Sequence, residues 1–389
     1  DTDTAPIAGD SILFDGLNAS GDDVCTWDIS LELGTFTIGS GYSGTITQSS
    51  DMHITGYSQA SGTFTGSVSK WVYCSGNFIK SSGTITAQIL RLQMVGDGQI
   101  SIVNSYFYQL IIDANVTVST GFSINRDAPG AFSYLEIKPD RTLTLNAGIT
   151  FYCFRANSVI KNSGYINGSQ GISIYDGVGY SSTAKLDLGI TSVSVTFYRY
   201  NAGSGDNVFN LNSSFSCSAL TVQSAHATYT CTLNLNGHSI TATTITVGTR
   251  GILDCGNGTI TCSALTSTSG TIMEDTATWI FNDGAVVTAM SGEKFYNVQM
   301  KGGCDFVNAV NVTNELRWID VPAEYGALDV YLDSIYSQTI PSYTFGPEQT
   351  AAAEYTYLPD IQIEMSQFYE DIDFSIYAYI STNLPVTYN

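Results

Sequence analysis

The chain has 389 residues, 43% hydrophobic and only 13% charged, with 14 Lys and Arg against 35 Asp and Glu for a formal charge of −21. A field of that sign repels phosphate backbones and no Arg/Lys cluster interrupts it, so nucleic acid is excluded as a partner. No run of 18 apolar residues occurs, so no membrane span is expected, and the wealth of Ser, Thr, Asn, Gly and Tyr favours strands and turns.

The chain begins DTDTAPIAGD, without Met and without an apolar leader. This reads as the mature end left by signal-peptide removal, and residues 1–30 are assigned to an extended N-terminal segment. Repeats then fill residues 31–315. SGTIT at 43–47, SGTFT at 61–65 and SGTIT at 82–86 follow one another at steps of 18 and 21. In each, a Gly turn feeds a short alternating strand. GDGQISI (96–102) and STGFSI (119–124) read as looser members of that series, while TLTLNAG (142–148) returns as TLNLNGH (232–238). The closest repeat is NSSFSCSALT (212–221) against NGTITCSALT (257–266), with NGHSITATTIT (236–246) as a looser copy between them.

Steps of this size are the length of one solenoid coil. A single coil cannot bury its apolar face, whereas coils stacked about 4.8 Å apart build parallel sheets and a continuous core. The fold class is therefore all-β: a parallel β-helix-like solenoid with coils of about 18–26 residues, followed by a small antiparallel β domain. Phe215, Ile240 and Ile260 should stack as one ladder, with Cys217, Ala242 and Cys262 as a buried column beside it. Asn212, Asn236, Asn257, Asn282 and Asn308 mark corners, since Asn bonds the turn backbone and tolerates left-handed geometry.

Eight cysteines suit an oxidising compartment. Cys217 and Cys262, two coils apart at about 9.6 Å, are too far for a disulfide and read as buried thiols. Cys25, Cys74, Cys153, Cys231, Cys255 and Cys304 are the disulfide candidates. Asn18, Asn115, Asn167, Asn212, Asn257 and Asn311 stand in Asn-x-Ser/Thr triplets and are the glycosylation candidates. Together these features suggest an extracellular or cell-surface location.

The refrain stops near Trp318, and residues 316–389 read as the antiparallel domain. In DIDFSIYAYIS, Ile372, Phe374, Ile376, Ala378 and Ile380 face one way, a half-buried strand that could be lent to a neighbouring copy. Asp371 and Asp373 lie on its other face among the denser C-terminal acids and are the calcium candidates. A solvated acidic face is the plainer reading, and no other cofactor is expected.

No catalytic constellation emerges. Asp22–Asp23, Glu274–Asp275 and Glu370–Asp371 are neighbours, and adjacent residues of an extended chain point to opposite faces, whereas glycoside hydrolysis needs two carboxylates facing each other across a groove. His238 lacks the partners of a polygalacturonase motif, and His53 and His226 have none in motif spacing. GSGYSG (39–44) has the letters of a dinucleotide loop but runs into an alternating strand instead of a helix. No catalytic residue is assigned.

The Gly/Ser/Thr/Asn-rich coils, SGTIT, NGTITC and the interspersed cysteines resemble archaeal cell-surface β-solenoid proteins, in the style of the sheath-forming subunits of filamentous methanogens. The resemblance covers residues 30–315 and implies a structural role: β-stacked, disulfide-bonded copies of one chain forming a resistant extracellular layer, sheath, S-layer or filament. The alternative is a glycan-binding adhesin or viral tail-fibre-type protein, with Trp71, Tyr73, Tyr106 and Tyr108 as its aromatic platform. A polysaccharide-cleaving β-helix enzyme is the third reading. The partners expected are thus copies of itself and, secondarily, glycans.

Overall fold

The computed structural model describes residues 5–17, 24–67, 69–86, 90–124, 133–153, 157–176, 181–200, 204–308, 310–318 and 343–345, with backbone alone at 317, 318 and 343–345. These residues contain no α-helix and build a parallel β-solenoid of about 13 turns. They fall into two compact units, residues 1–217 with 226–229 and residues 218–225 with 230–389.

In the first unit each coil from Trp71 to Arg199 carries three short strands, while the two before it carry two, Glu32–Ile38 with Thr45–Gln48 and Met52–Gln59 with Thr63–Thr65. One coil consists of Gln109–Ile112, Val116–Val118 and Phe122–Ile124, and the next of Tyr134–Ile137, Thr142–Leu145 and Ile149–Tyr152. Every strand pairs in parallel with its counterpart one coil on. Register partners lie between 17 residues apart, as with Tyr106 and Ser123, and 27 apart, as with Val116 and Leu143. Alternation turns every second side chain inward, giving columns such as Phe122–Ile149–Ile172–Val195 and Ile124–Phe151–Ile174–Phe197, all buried. Where the column Val118–Leu145 continues, position 168 is Gly with φ +125°, and a Cβ there would lie 2.2 Å from the Leu145 carbonyl oxygen. No other residue fits that approach.

The short refrain is a stacking register. Thr45, Thr63 and Thr84 are in line, as are Ile46, Phe64 and Ile85, and then Thr47, Thr65 and Thr86. The middle member of each triplet is buried. GDGQISI and STGFSI do not join this sheet. Gly98–Ile102 pairs with Phe78–Lys80 and Val116–Val118, and Phe122–Ile124 pairs with Tyr106–Phe107 and Ile149–Tyr152. A three-sided coil writes similar strands on different faces, which a linear search merges.

In the second unit Ile240 pairs with Ile260 and Ala242 with Cys262, as the repeat predicts, and the ladder runs on through Trp279 and Phe281. Phe215 and Cys217 are buried in the first unit. The strand Thr278–Ala289 absorbs extra residues in a bulge opposite Cys262 and Ala264. Asn236 is a left-handed corner with φ +51°, and a Cβ on Gly237 would meet the side chain of Asn257 at 2.8 Å, so these turns stack. Asn282 lies inside a strand instead, donating Nδ2–H to Ser263 Oγ.

Two boundaries move. Residues 1–30 are not merely an extended segment, because Ile12–Phe14 pairs in parallel with Phe36–Ile38, and Val24–Trp27 with Thr45–Gln48. The first coil therefore starts at Ile12. At the other limit the solenoid strand Val310–Trp318 runs to Trp318, and Tyr343–Phe345 pairs antiparallel with Val310–Val312. The strand candidates Ile372, Phe374, Ile376, Ala378 and Ile380 and the calcium candidates Asp371 and Asp373 lie outside the described residues.

Candidate functional site

One outward sheet face of the first unit concentrates aromatic and cationic groups. His53, Tyr73 and Gln93 are register partners on successive coils, and Trp71, Arg91 and Gln109 form the adjoining row. Trp71 and Tyr73 share this face because they stand two residues apart on the strand Trp71–Cys74, whose Val72 and Cys74 point into the core. The imidazole of His53 stacks on the Tyr73 ring at 4.5 Å with 7° between planes, and Trp71 lies 6.5 Å from Tyr73. The Arg91 guanidinium sits 5.6 Å from the Trp71 ring centroid and 5.5 Å from that of Tyr108, contacts of the cation–π kind. Burial and then the Asp51 carboxylate push the Tyr73 phenol up, so it stays neutral. Of the proposed platform, Trp71 and Tyr108 thus flank Arg91, and Tyr73 lies beside Trp71. Tyr106 belongs to another strand, paired with Ser123.

The first coil is the second notable region. Among the described residues Ile12–Phe14 and Val24–Trp27 pair on one side only. Ile12, Phe14 and Cys25 occupy inward positions yet remain partly exposed, although Phe14 packs on Phe36 and Tyr42. Ile7, Leu13, Leu17 and Val24 are 68%, 62%, 82% and 73% exposed. The Ile46–Phe64–Ile85 ladder therefore begins with Cys25 at an open edge.

Two further constellations escaped the sequence. Asp176 and Arg199 end two successive coil strands and are in register, Cys153 follows the strand Ile149–Tyr152 of the coil before, and all three are fully buried. Asn207 donates to the Asp176 carbonyl and Ser181 N–H to its Oδ2, each at 2.5 Å, while the Arg199 guanidinium lies 5.5 Å from the Tyr229 ring. Burial, then Asp176, pushes the Cys153 thiol well up. The missed signal is a charged residue at an inward position of an alternating strand, seen in ISIYD and SVTFYR. In the second unit Asp254, Glu274, Asp275 and Glu293 gather around Cys255. Burial raises the Asp254 and Glu274 carboxyls, with Asp275 adding to both, and burial raises Glu293, with Glu274 adding to it. Glu274 and Asp275, neighbours in the sequence, both belong to this cluster; Asp22, Asp23, Glu370 and Asp371 lie outside the described residues. No group of three or more His, Cys, Asp or Glu among the described residues has metal-binding geometry.

The disulfide reading is corrected: all eight cysteines are free thiols. Cys74, Cys153, Cys231 and Cys255 are core residues, and Cys25 and Cys304 are half-buried. The ladder sets non-cysteine register partners beside three of them: Ile54 and Met94 flank Cys74, Gly251 pairs with Cys231, and Ala285 with Cys304. Cys217 and Cys262 are buried as expected, and burial pushes each thiol up to about 12.

Of the glycosylation candidates, Asn115, Asn167, Asn212 and Asn257 are exposed, Asn311 is half-buried, and Asn18 lies outside the described residues. Asn115 Oδ1 accepts from Thr142 N–H and Asn212 Oδ1 from Leu186 N–H. These two side chains tie adjacent coils together. His238 lies in the turn after Asn236, its N–H donating to the Leu235 carbonyl. Comparison of the chain with family models, curated proteins and solved structures found no match.

Proposed function

We propose that this chain is a structural subunit that assembles with copies of itself into an extracellular layer, sheath or filament, using its first coil as a contact surface. The observation that carries the reading is the open edge. Among the described residues two strands pair on one side only, residues Ile12, Phe14 and Cys25 at inward positions stay partly exposed, and Leu13 and Val24 project outward. An edge of this kind is a template for pairing with another chain. Covering it would extend both the hydrogen-bond ladder and the core column. The low share of charged residues, 13%, and the coil-by-coil regularity suit the same role. Glycan binding is a second reading, favoured by the aromatic face around Tyr73.

The test is light scattering with electron microscopy on natively isolated protein, beside a variant carrying Leu13→Lys and Val24→Lys. Both side chains are largely exposed, so the fold should persist, while two edge lysines oppose strand addition. Wild-type protein should form tubes, sheets or fibres and the variant smaller species with the same circular dichroism. A wild-type monomer at all concentrations, or a variant that assembles like wild type, overturns the reading.

A further inference from the structure

We infer that Arg91 and the aromatic rings beside it form a binding site for an acidic saccharide, a sugar chain bearing carboxylate groups. Among the described residues Arg91 makes no ion pair and no hydrogen bond, and its buried Nε has no partner. In a chain with 35 acidic residues and 14 basic ones, this guanidinium meets aromatic rings and no carboxylate among the described residues. Leaving a buried donor unpaired is unfavourable, and two aromatic rings hold this one in place. The nearby carboxylates are engaged elsewhere. Asp51 accepts the Trp71 N–H, and Asp113 accepts from Gln93 and pairs with Arg141 at 3.7 Å. A guanidinium fixed between rings presents a planar fork of donors that matches a carboxylate in bidentate fashion.

The rings decide between kinds of anion. Trp71, Tyr73 and His53 occupy neighbouring rows of one sheet face, two rows lying about 4.8 Å apart along the coil axis and two positions about 6.6 Å apart along a strand. His53 and Tyr73 cover one face of each other and Arg91 lies over one face of Trp71, so the ring edges and remaining faces, with the polar groups of Gln93 and Tyr73, form an amphipathic border against which a pyranose ring can pack while its carboxylate reaches Arg91. A simple inorganic anion would have no use for the rings, and an acidic peptide would not require their spacing. The overall negative field opposes any polyanion, but the screening length at physiological salt is about 8 Å. A contact-distance pair at Arg91 therefore outweighs distant carboxylates.

The experiment is titration calorimetry of the full chain with three probes: a galacturonic-acid oligomer, a neutral cello-oligomer and polyglutamate. The galacturonic-acid oligomer should bind, and added salt should weaken it. Arg91→Gln should cut its affinity by about tenfold or more, Arg91→Lys should restore it only in part because the fork is lost, and Trp71→Ala should weaken it too. Unchanged thermal unfolding of Arg91→Lys shows that a loss reflects the site and not the fold. Equal binding of the neutral oligomer, tighter binding of polyglutamate regardless of Trp71, or no binding of the galacturonic-acid oligomer at millimolar concentration overturns the proposal.

Discussion

The two units share one coil architecture and place their charge in opposite ways. In the first, Lys80, Glu136, Asp176 and Arg199 are buried, together with Gln48, Gln59, Gln109, Asn162 and Asn207. In the second, the buried polar residues among those described are Ser224 and Ser267, and the carboxylates collect at a half-buried corner around Cys255. A stack of parallel strands satisfies its backbone from coil to coil, so side chains are free to be apolar throughout, and the second unit takes that course. The first spends core positions on polar groups that fix particular coils to each other. Lys80 donates to the Val103 carbonyl at 2.5 Å, and Gln59 donates to the carbonyls of Ser61, Gly62 and Thr84. Polar contacts of this kind specify register, where an apolar ladder specifies only inward and outward.

The largest effects should come from the two cores, by different mechanisms. Asp176→Ala leaves the Arg199 charge buried without the carboxylate in register with it, and should destabilise the first unit by about 3–5 kcal/mol. Trp279→Ala in the second unit removes a fully buried ring packed on Phe281 and Phe295 and should cost about 3–5 kcal/mol through transfer and cavity terms. Hydrogen exchange measured strand by strand separates the units. Asp176→Asn, which keeps the shape and loses the charge, should resemble Asp176→Ala. If it is silent, the ionic column is not what holds those coils, and the contrast between the units fails.

A smaller effect, opposite in sign in the two units, should follow from pH. In the second unit the carboxyls of Asp254, Glu274 and Glu293 are raised, first by burial. A raised carboxyl binds its proton more readily in the folded state, so its contribution is fully present below the unfolded value of about 4 and is lost as pH rises through the raised folded value. Acidification from pH 7 towards 4 should therefore protect this corner. In the first unit burial pushes Glu136 up, but hydrogen bonds from Lys161, Tyr134 and Lys138 outweigh it and hold its carboxyl low. That contribution is present above the unfolded value and is lost as pH falls through the lowered one. Unfolding followed by hydrogen exchange at pH 7, 5 and 4 should show protection around Cys255 rising while protection around Glu136 holds and then falls. Parallel movement of both regions would show that local carboxylate environments do not govern the response.

The solenoid was legible because stacking imposes similar residues on similar positions. Ile46, Phe64 and Ile85 share an environment and were found as a refrain, and Ile240 with Ile260 as a repeat. The polar core was not legible for the same reason. Asp176 and Arg199 appear once each, so no repeat announces them, and the strands ISIYD and SVTFYR look like any alternating pair whose last residue has turned outward. The Arg91 site was half visible. Trp71 and Tyr73 alternate on one strand, but the row that adds Arg91 and His53 depends on coil offsets of 20, which the variable coil length conceals. The first coil was hidden by its lack of a refrain: Ile12–Phe14 is short and resembles none of the later strands.

The smallest expected effect is the response to reductant. Each unit holds four cysteines, Cys25, Cys74, Cys153 and Cys217 in the first and Cys231, Cys255, Cys262 and Cys304 in the second, all of them free. Unfolded without reductant, the chain should titrate eight thiols, and reductant should move the unfolding of neither unit. In the folded chain reaction should be slow everywhere. Burial and then Asp28 raise the Cys25 thiol, and burial followed by Cys262 and Asp305 raises Cys304, so the nucleophilic thiolate is scarce near pH 7 even at these two half-buried positions. The comparison gains a discriminating outcome from assembly. Cys25 begins a core column at the open edge of the first unit, so burying that edge against a second copy should protect it from alkylation and leave the slow reaction of Cys304 in the second unit unchanged. Equal protection of both thiols on assembly would place the contact elsewhere than the first coil, and fewer than eight titratable thiols would show that one unit carries a covalent tie which the ladder geometry does not provide.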